Sequence, residues 1–128
     1  MLEKVVSIRL LHHLEFHNIL SSAQFAYRKA KGTDLAITSF VKKILDNFDD
    51  NKVSIAVFLD LTRAFDSVGH EILLSKLDHY GIKGTSLRWF KNYLSDRRQF
   101  VKFRNVNSAV KPIDIGVPRG SILGPILF

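Results

Sequence analysis

Two aspartates, Asp60 and Asp66, are the side chains of this sequence with the clearest capacity for chemistry. They lie in Val57-Phe58-Leu59-Asp60-Leu61-Thr62-Arg63-Ala64-Phe65-Asp66-Ser67-Val68, after an apolar run from Val53 to Leu59 interrupted only by Ser54 and Ala56. A buried strand that ends on a carboxylate offers a hard oxygen ligand to a divalent cation. An Asp at a strand end more often serves as a turn or helix-cap residue than as a metal ligand, so both roles stay open. Gln24–Gly32 interleaves Arg28, Lys29 and Lys31 with Phe25 and Tyr27. Such cations near a flexible turn close over phosphates, although a solvated basic loop anchored by its rings has the same composition. Gly116-Val117-Pro118-Arg119-Gly120-Ser121 is a Gly-flanked loop with Ser121 placed to cap a following helix. Loops of this kind offer free N–H groups to an anion; the Gly-Lys-Ser/Thr ending of a P-loop is missing. His13 and His17 stand one helical turn apart without an evident third metal ligand. Asp46, Asp49 and Asp50 lack the spacing and glycine of a calcium loop and read as a solvated helix end.

The elements that must position these groups follow from hydrophobic periodicity. Residues 2–16 carry a helical apolar pattern. Thr33 or Asp34 can cap a helix to about Phe48, in which Ile37, Phe40, Val41, Ile44, Leu45 and Phe48 form one face expected in the core. The run 53–59 is expected as a buried strand. A helix from His70 to Tyr80 closes on Gly81 as its C-cap. Another, Thr85–Leu94, sets Leu87, Phe90 and Leu94 on one side with Trp89 and Tyr93 beside them. Arg88, Lys91, Arg97, Arg98 and Lys102 surround these rings, as on nucleic-acid surfaces; solubility alone also accounts for such charges. Gln99–Arg104 and Val110–Ile115 are expected as strands about the turn Asn105–Ser108.

At 128 residues and 46% apolar content the chain is the size of one folded domain. Its net charge of +7 favours a polyanionic partner, nucleic acid before an anionic membrane. The absence of cysteine excludes disulfides, thiolate metal sites and a Cys nucleophile, and suits an intracellular compartment. No apolar run reaches the roughly 18–20 residues that span a bilayer, and no signal-peptide pattern is present. The last residues, Ile122–Phe128, are apolar throughout apart from Gly124 and Pro125, which suggests a truncated protein.

Together these segments resemble the fingers-and-palm region of a reverse transcriptase from a LINE-type (non-LTR) retrotransposon. Phe58–Val68 is similar to that family's first palm motif and Gly116–Pro125 to its second. Gln24-Phe25-Ala26-Tyr27-Arg28, Tyr80-Gly81-Ile82, Trp89, Tyr93-Leu94, Arg97 and Gln99 fall in the family's order between and before them. The resemblance implies an α+β fold, a partial right-hand polymerase, helix-rich with a few short antiparallel strands and no thumb. Residues 1–52 would be fingers-like, 53–68 the palm strand and first motif, 69–115 helices and a hairpin, and 116–128 the second motif.

The resemblance further implies an RNA-directed DNA polymerase that joins deoxynucleotide triphosphates to a DNA primer on an RNA template. Asp60 would be a catalytic carboxylate and, with the backbone carbonyl of Leu61, a ligand of Mg2+. Two such ions stabilise the attacking and leaving oxygens. Phe65 would lie beneath the nucleotide sugar and clash with a 2′-hydroxyl. Arg28 and Lys31 would hold the triphosphate, with Pro118, Arg119 and Gly120 against nucleotide and template. Asp66 matches no metal position and reads as a cap or loop-fixing residue. Three departures stand out: Arg119 where the family usually has Gln, Ala26 where Gly is usual, and Gly69 where Asp is usual. The family's third palm motif, an aromatic-Ala-Asp-Asp turn, is missing; Asp49-Asp50 lies upstream. By itself the chain is therefore expected to be inactive, the alternative being a basic nucleic-acid-binding remnant. The expected setting is intracellular, with no targeting signal in the sequence and the nucleus implied by the resemblance alone.

Overall fold

Four of the apolar-periodic segments form helices in the computed structural model, which describes residues 2–128: α1 (Leu2–Phe16), α2 (Thr33–Asp49), α3 (His70–His79) and α4 (Gly84–Leu94). A short α5 (Gly124–Leu127) follows four two-residue strands, β1 (Arg98–Gln99), β2 (Lys102–Phe103), β3 (Val106–Asn107) and β4 (Lys111–Pro112). The fold is thus α+β, helix-rich, with short antiparallel strands.

Three helices stop by one device. Asn18, Asn51 and Gly81 take left-handed conformations (φ 52°, 54° and 88°) just past α1, α2 and α3. The next residue's N–H then bonds the carbonyl five positions back: Ile19 to Leu14 at 2.9 Å, Lys52 to Asn47 at 2.7 Å, Ile82 to Leu77 at 2.9 Å. This Schellman arrangement satisfies carbonyls that the helix leaves open, and Gly or Asn tolerates the required φ best. Gly81 acts as the sequence predicts. The start of α2 does not: Gly32 is the N-cap, and no side chain caps the helix. Gly32 is fully extended (φ −158°, ψ 179°), so Thr33 and Asp34 already lie inside the first turn, where Asp34 still opposes the helix dipole favourably.

The chain divides into two units. The first combines the chain up to His13 with Arg63–Phe128. Its core joins Leu10 of α1, Leu73 and Leu77 of α3, Phe90 and Leu94 of α4, and Val117, Leu123 and Leu127 near the C-terminus, all buried. Glu3 ties three of these segments together. Its carboxylate accepts from the Tyr93 hydroxyl at 3.0 Å and from the Ile122 N–H at 3.1 Å. His13 Nε2 lies 2.7 Å from the Tyr80 carbonyl.

The hairpin of this unit turns more tightly than expected. Lys102 and Phe103 pair with Asn107 and Val106 around Arg104-Asn105, while Arg98 and Gln99 pair with Pro112 and Lys111. Between the two ladders one strand carries residues 100–101 and the other 108–110. That extra residue is a bulge, and it replaces the two continuous strands that periodicity predicts. Ser108 bridges the break: its N–H donates to the Val101 carbonyl and its hydroxyl accepts from the Val101 N–H, both at 2.9 Å.

The second unit, Leu14–Thr62, contains α2 and two corrections. The apolar face of α2, expected in the core, has no buried residue. Residues 53–61 take no regular secondary structure and join no β-ladder among the described residues, and Val53, Ile55, Val57, Phe58 and Leu59 are exposed. A β-rich composition makes a strand only where a neighbour accepts its hydrogen bonds. Phe58 does meet Phe40 of α2 edge to face at 5.7 Å. Among the described residues no helix is long and apolar enough to cross a membrane.

Candidate nucleotide-binding site

In the first unit the turn after Thr62 and the loop before α5 are fastened to each other. Arg63 enters in a left-handed conformation (φ 55°), and residues 64–67 wind into a single 3₁₀ turn. The loop docks on it through backbone: Gly69 bridges Ile115, the Gly116 N–H donates to the Val68 carbonyl at 2.7 Å, and the Val117 N–H donates to the Phe65 carbonyl at 2.8 Å. Gly116 has φ +88°, and a Cβ on it would come within 2.9 Å of the Asp66 Cα. Only glycine meets both demands. His70 Nε2 lies 2.7 Å from the Gly116 carbonyl and donates to it.

Side chains complete the clasp. The Arg119 guanidinium grips the Asp66 carboxylate with two N–H groups, Nε to Oδ1 at 2.9 Å and Nη2 to Oδ2. Fork-to-fork geometry fixes direction as well as distance. The Ser121 hydroxyl donates to the Pro118 carbonyl at 2.7 Å and its oxygen accepts the Gly124 N–H at 2.9 Å, so Ser121 bonds the first residue of α5 although the N-cap position itself is Leu123. Gly120, at φ +77°, has open space where a Cβ would stand. Phe65 is half-buried, its ring 5.0 Å from that of Phe128. Beside this loop, burial pushes the Tyr93 phenol above its ordinary range, and the Glu3 carboxylate it bonds adds to the shift.

The structure therefore brings Phe65, Pro118, Arg119 and Gly120 together in one unit, although some fifty positions separate the first from the rest. Asp60, Leu61, Arg28 and Lys31 belong to the other unit. There Arg28 donates to the Ser21 carbonyl at 3.0 Å and approaches Glu15 at 3.6 Å. Lys31 donates to the Ser22 carbonyl at 2.6 Å and lies over the Phe25 ring at 5.1 Å. Both cations bind down their own loop, as an anchored loop would. Tyr27 and Ala30 wind it tightly, each at φ 57°.

Asp60 and Leu61 are exposed, on the segment without regular secondary structure. No hydrogen bond or ion pair among the described residues engages the Asp60 carboxylate. Nor do those residues contain a cluster of three or more metal-ligating side chains. An octahedral hard cation requires about six oxygens; one carboxylate and one carbonyl do not make such a site. The described residues by themselves do not fit a resident metal.

Sequence reasoning missed the partner of Arg119 and the Glu3 strut. The signal for the first was present: an arginine replacing the usual glutamine, with an acid of no metal role in the other motif. Glu3 gave none.

A carboxylate after an apolar run, a 3₁₀ turn bearing an aromatic ring and a Gly-flanked loop docked on that turn thus follow one another along the chain. The chain belongs to the reverse transcriptase (RNA-dependent DNA polymerase) family, whose model matches residues 1–128. It is 36% identical over 132 residues to the probable RNA-directed DNA polymerase from transposon BS of Drosophila melanogaster, covering 98% of this chain and 14% of that protein. The polymerase from mobile element jockey of the same species is 32% identical over 127 residues, covering 99% of this chain and 14% of its own length. That from the X-element is 31% identical over 126 residues, covering 98% and 14%. These are polymerases of non-LTR retrotransposons, in agreement with the motif resemblance. The chain spans about a seventh of their length. No solved structure matches it.

Proposed function

We propose that this chain forms fingers and part of the palm of an RNA-directed DNA polymerase of a non-LTR retrotransposon, residues 1–52 belonging to the fingers and the first palm motif falling within 53–68. The observation that carries the reading is the clasp: the loop that bears Pro118–Gly120 is docked on the turn that bears Phe65 by the Val117–Phe65 backbone bond and by the seat of Gly116 against Asp66. In this reading Phe65 underlies the sugar of a deoxynucleotide triphosphate and its ring rejects a 2′-hydroxyl. Arg119, steered by Asp66, presents its outer N–H groups to the nucleotide or template. Arg28 and Lys31 hold the triphosphate, and the template is RNA with a DNA primer. Asp60 and the Leu61 carbonyl contribute two ligands to a divalent site, Mg2+ in this proposal, that further carboxylates must complete. When bound, such ions stabilise the charge that develops on attacking and leaving oxygens. The setting is intracellular.

Alone, the 128 residues have no polymerase activity, because Asp60 lacks partner carboxylates. Magnesium-dependent extension of a primed RNA template by the pure chain would overturn that statement. The nucleotide site is tested by titrating the chain with a deoxynucleotide and the matching ribonucleotide triphosphate. The expected result is a preference for the deoxy form that Phe65→Val reduces about tenfold, the discrimination of a removed steric contact. An unchanged preference sinks the assignment of Phe65.

A further inference from the structure

A cavity of about 510 Å³ opens between α1 and the turn joining α3 to α4, within the first unit and sharing no lining residue with the clasp. Its size lies in the range of small-ligand sites. Leu10, Ile82 and Phe90, all buried, supply an apolar floor, and Trp89 lines the side. Arg9 and Lys83 stand at the rim, exposed, and neither has an ion-pair partner among the described residues. No carboxylate lines the cavity.

Trp89 is held in place from behind. Its indole stacks on the Tyr93 ring at 5.3 Å and 13°, and the Arg97 guanidinium lies over that ring at 5.1 Å. Trp89 and Tyr93 stand four residues apart on α4, so helix geometry aligns their rings, and Arg97, beyond the helix end, is held over Tyr93 by a bond from its Nη1 to the Tyr93 carbonyl at 3.1 Å. A rigid aromatic wall loses little entropy when a ligand stacks on it.

The occupant must be flat and apolar in one part and anionic in another. A wholly apolar segment would leave two unpaired cations at the rim without a role. An isolated phosphate would leave the floor and the indole unused. A nucleotide satisfies both: base stacking on aromatic rings combined with cations along the backbone is how single strands are held. A surplus of seven positive charges on the chain favours the same ligand.

The geometry points to a single-stranded nucleic-acid subsite here, with one base stacked on Trp89 over the Leu10–Phe90 floor and its flanking phosphates between Arg9 and Lys83. It rests on the nucleic-acid reading above but lies outside the residues that reading assigns to the nucleotide, and would guide a strand along the unit.

Trp89 is the only tryptophan of the chain, so its fluorescence reports directly on this cavity. A short fluorescein-labelled oligoadenylate, titrated into the 128-residue chain, should gain anisotropy while Trp89 emission is quenched over the same concentrations. Arg9→Ala with Lys83→Ala should weaken binding about tenfold or more, with melting unchanged, and lower the slope of log K against log salt by roughly 1.4, about 0.7 for each lost contact. Trp89→Phe should weaken it about fivefold or more, a stacking loss. Anisotropy without quenching would overturn the subsite and leave nucleic-acid binding standing. Neither signal would overturn both. Quenching undiminished in the double variant would also overturn the subsite.

Discussion

At Gly116 a backbone angle of φ +88° coincides with the close approach of Asp66, whose Cα would stand 2.9 Å from an added Cβ. Beside it the Asp66–Arg119 pair is exposed, at 45% and 68% of side-chain area. An exposed pair contributes about 1 kcal/mol at most, whereas a left-handed alanine costs about 1–2 kcal/mol and a backbone overlap about 1–3 more. Gly116→Ala should therefore lose roughly 2–5 kcal/mol in urea unfolding, and Asp66→Asn less than about 1 kcal/mol. Equal losses would show that charge, not backbone fit, holds the clasp. Tyr93 sets a pH dependence of definite sign. Burial first, then Glu3, raises its phenol above the ordinary value of 10.0, so the folded state keeps the proton more tightly than the unfolded one. The stabilisation is whole below about pH 10 and is lost as pH rises through the raised value. The excess of wild-type melting temperature over that of Tyr93→Phe should accordingly hold steady up to about pH 10 and shrink in the window above it. A constant difference across that window would dismiss the coupling.

The helix α3 begins at Gly69 without a side-chain cap, in the position where the family usually carries Asp. Gly69 has an ordinary φ of −70°, and an added Cβ would meet only Ile72 side-chain atoms at 3.5 Å or more. Gly69→Asp should thus be accommodated, accept a free N–H of the first turn and raise stability by about 0.5–1.5 kcal/mol. A lower melting temperature would mean that the carboxylate disturbs the neighbouring Gly69–Ile115 bridge. This departure was legible in sequence, as were α1, the body of α3 and α4, and the Gly81 stop, because those signals are local. The bulge at Ser108 was not, since it depends on how two strands align. The face of α2 and the run 53–59 were read as core for a different reason: periodicity reports that an apolar surface exists, not what covers it. At the site, the sequence pointed to Phe65, Pro118, Arg119 and Gly120, and the structure unites them. The Asp66–Arg119 grip needed three dimensions.

Burial is divided unequally between the two units. Among the described residues, Leu14 is the one buried hydrophobic of residues 14–62, while Leu73, Leu77, Phe90, Leu94 and Leu123 pack the first unit, Leu94 and Leu123 almost completely. On α2, by contrast, Leu45 is 57% and Phe48 76% exposed. A helix of its 17 residues with so little packing is near the marginal length for stability in water. Substitutions should report the same division. Leu94→Ala should cost about 2–5 kcal/mol, the penalty of a cavity, and Leu45→Ser no more than about 0.5 kcal/mol beyond its small loss of helix propensity. Hydrogen exchange measures it without mutation. If α2 opens at a free energy about 2.7 kcal/mol lower than α3 and α4, its central amides exchange about 100-fold faster. Protection of α2 equal to that of α4 would mean that its apolar face is covered in solution, for which self-association is the available route in a pure sample; protection that rises with protein concentration would identify it.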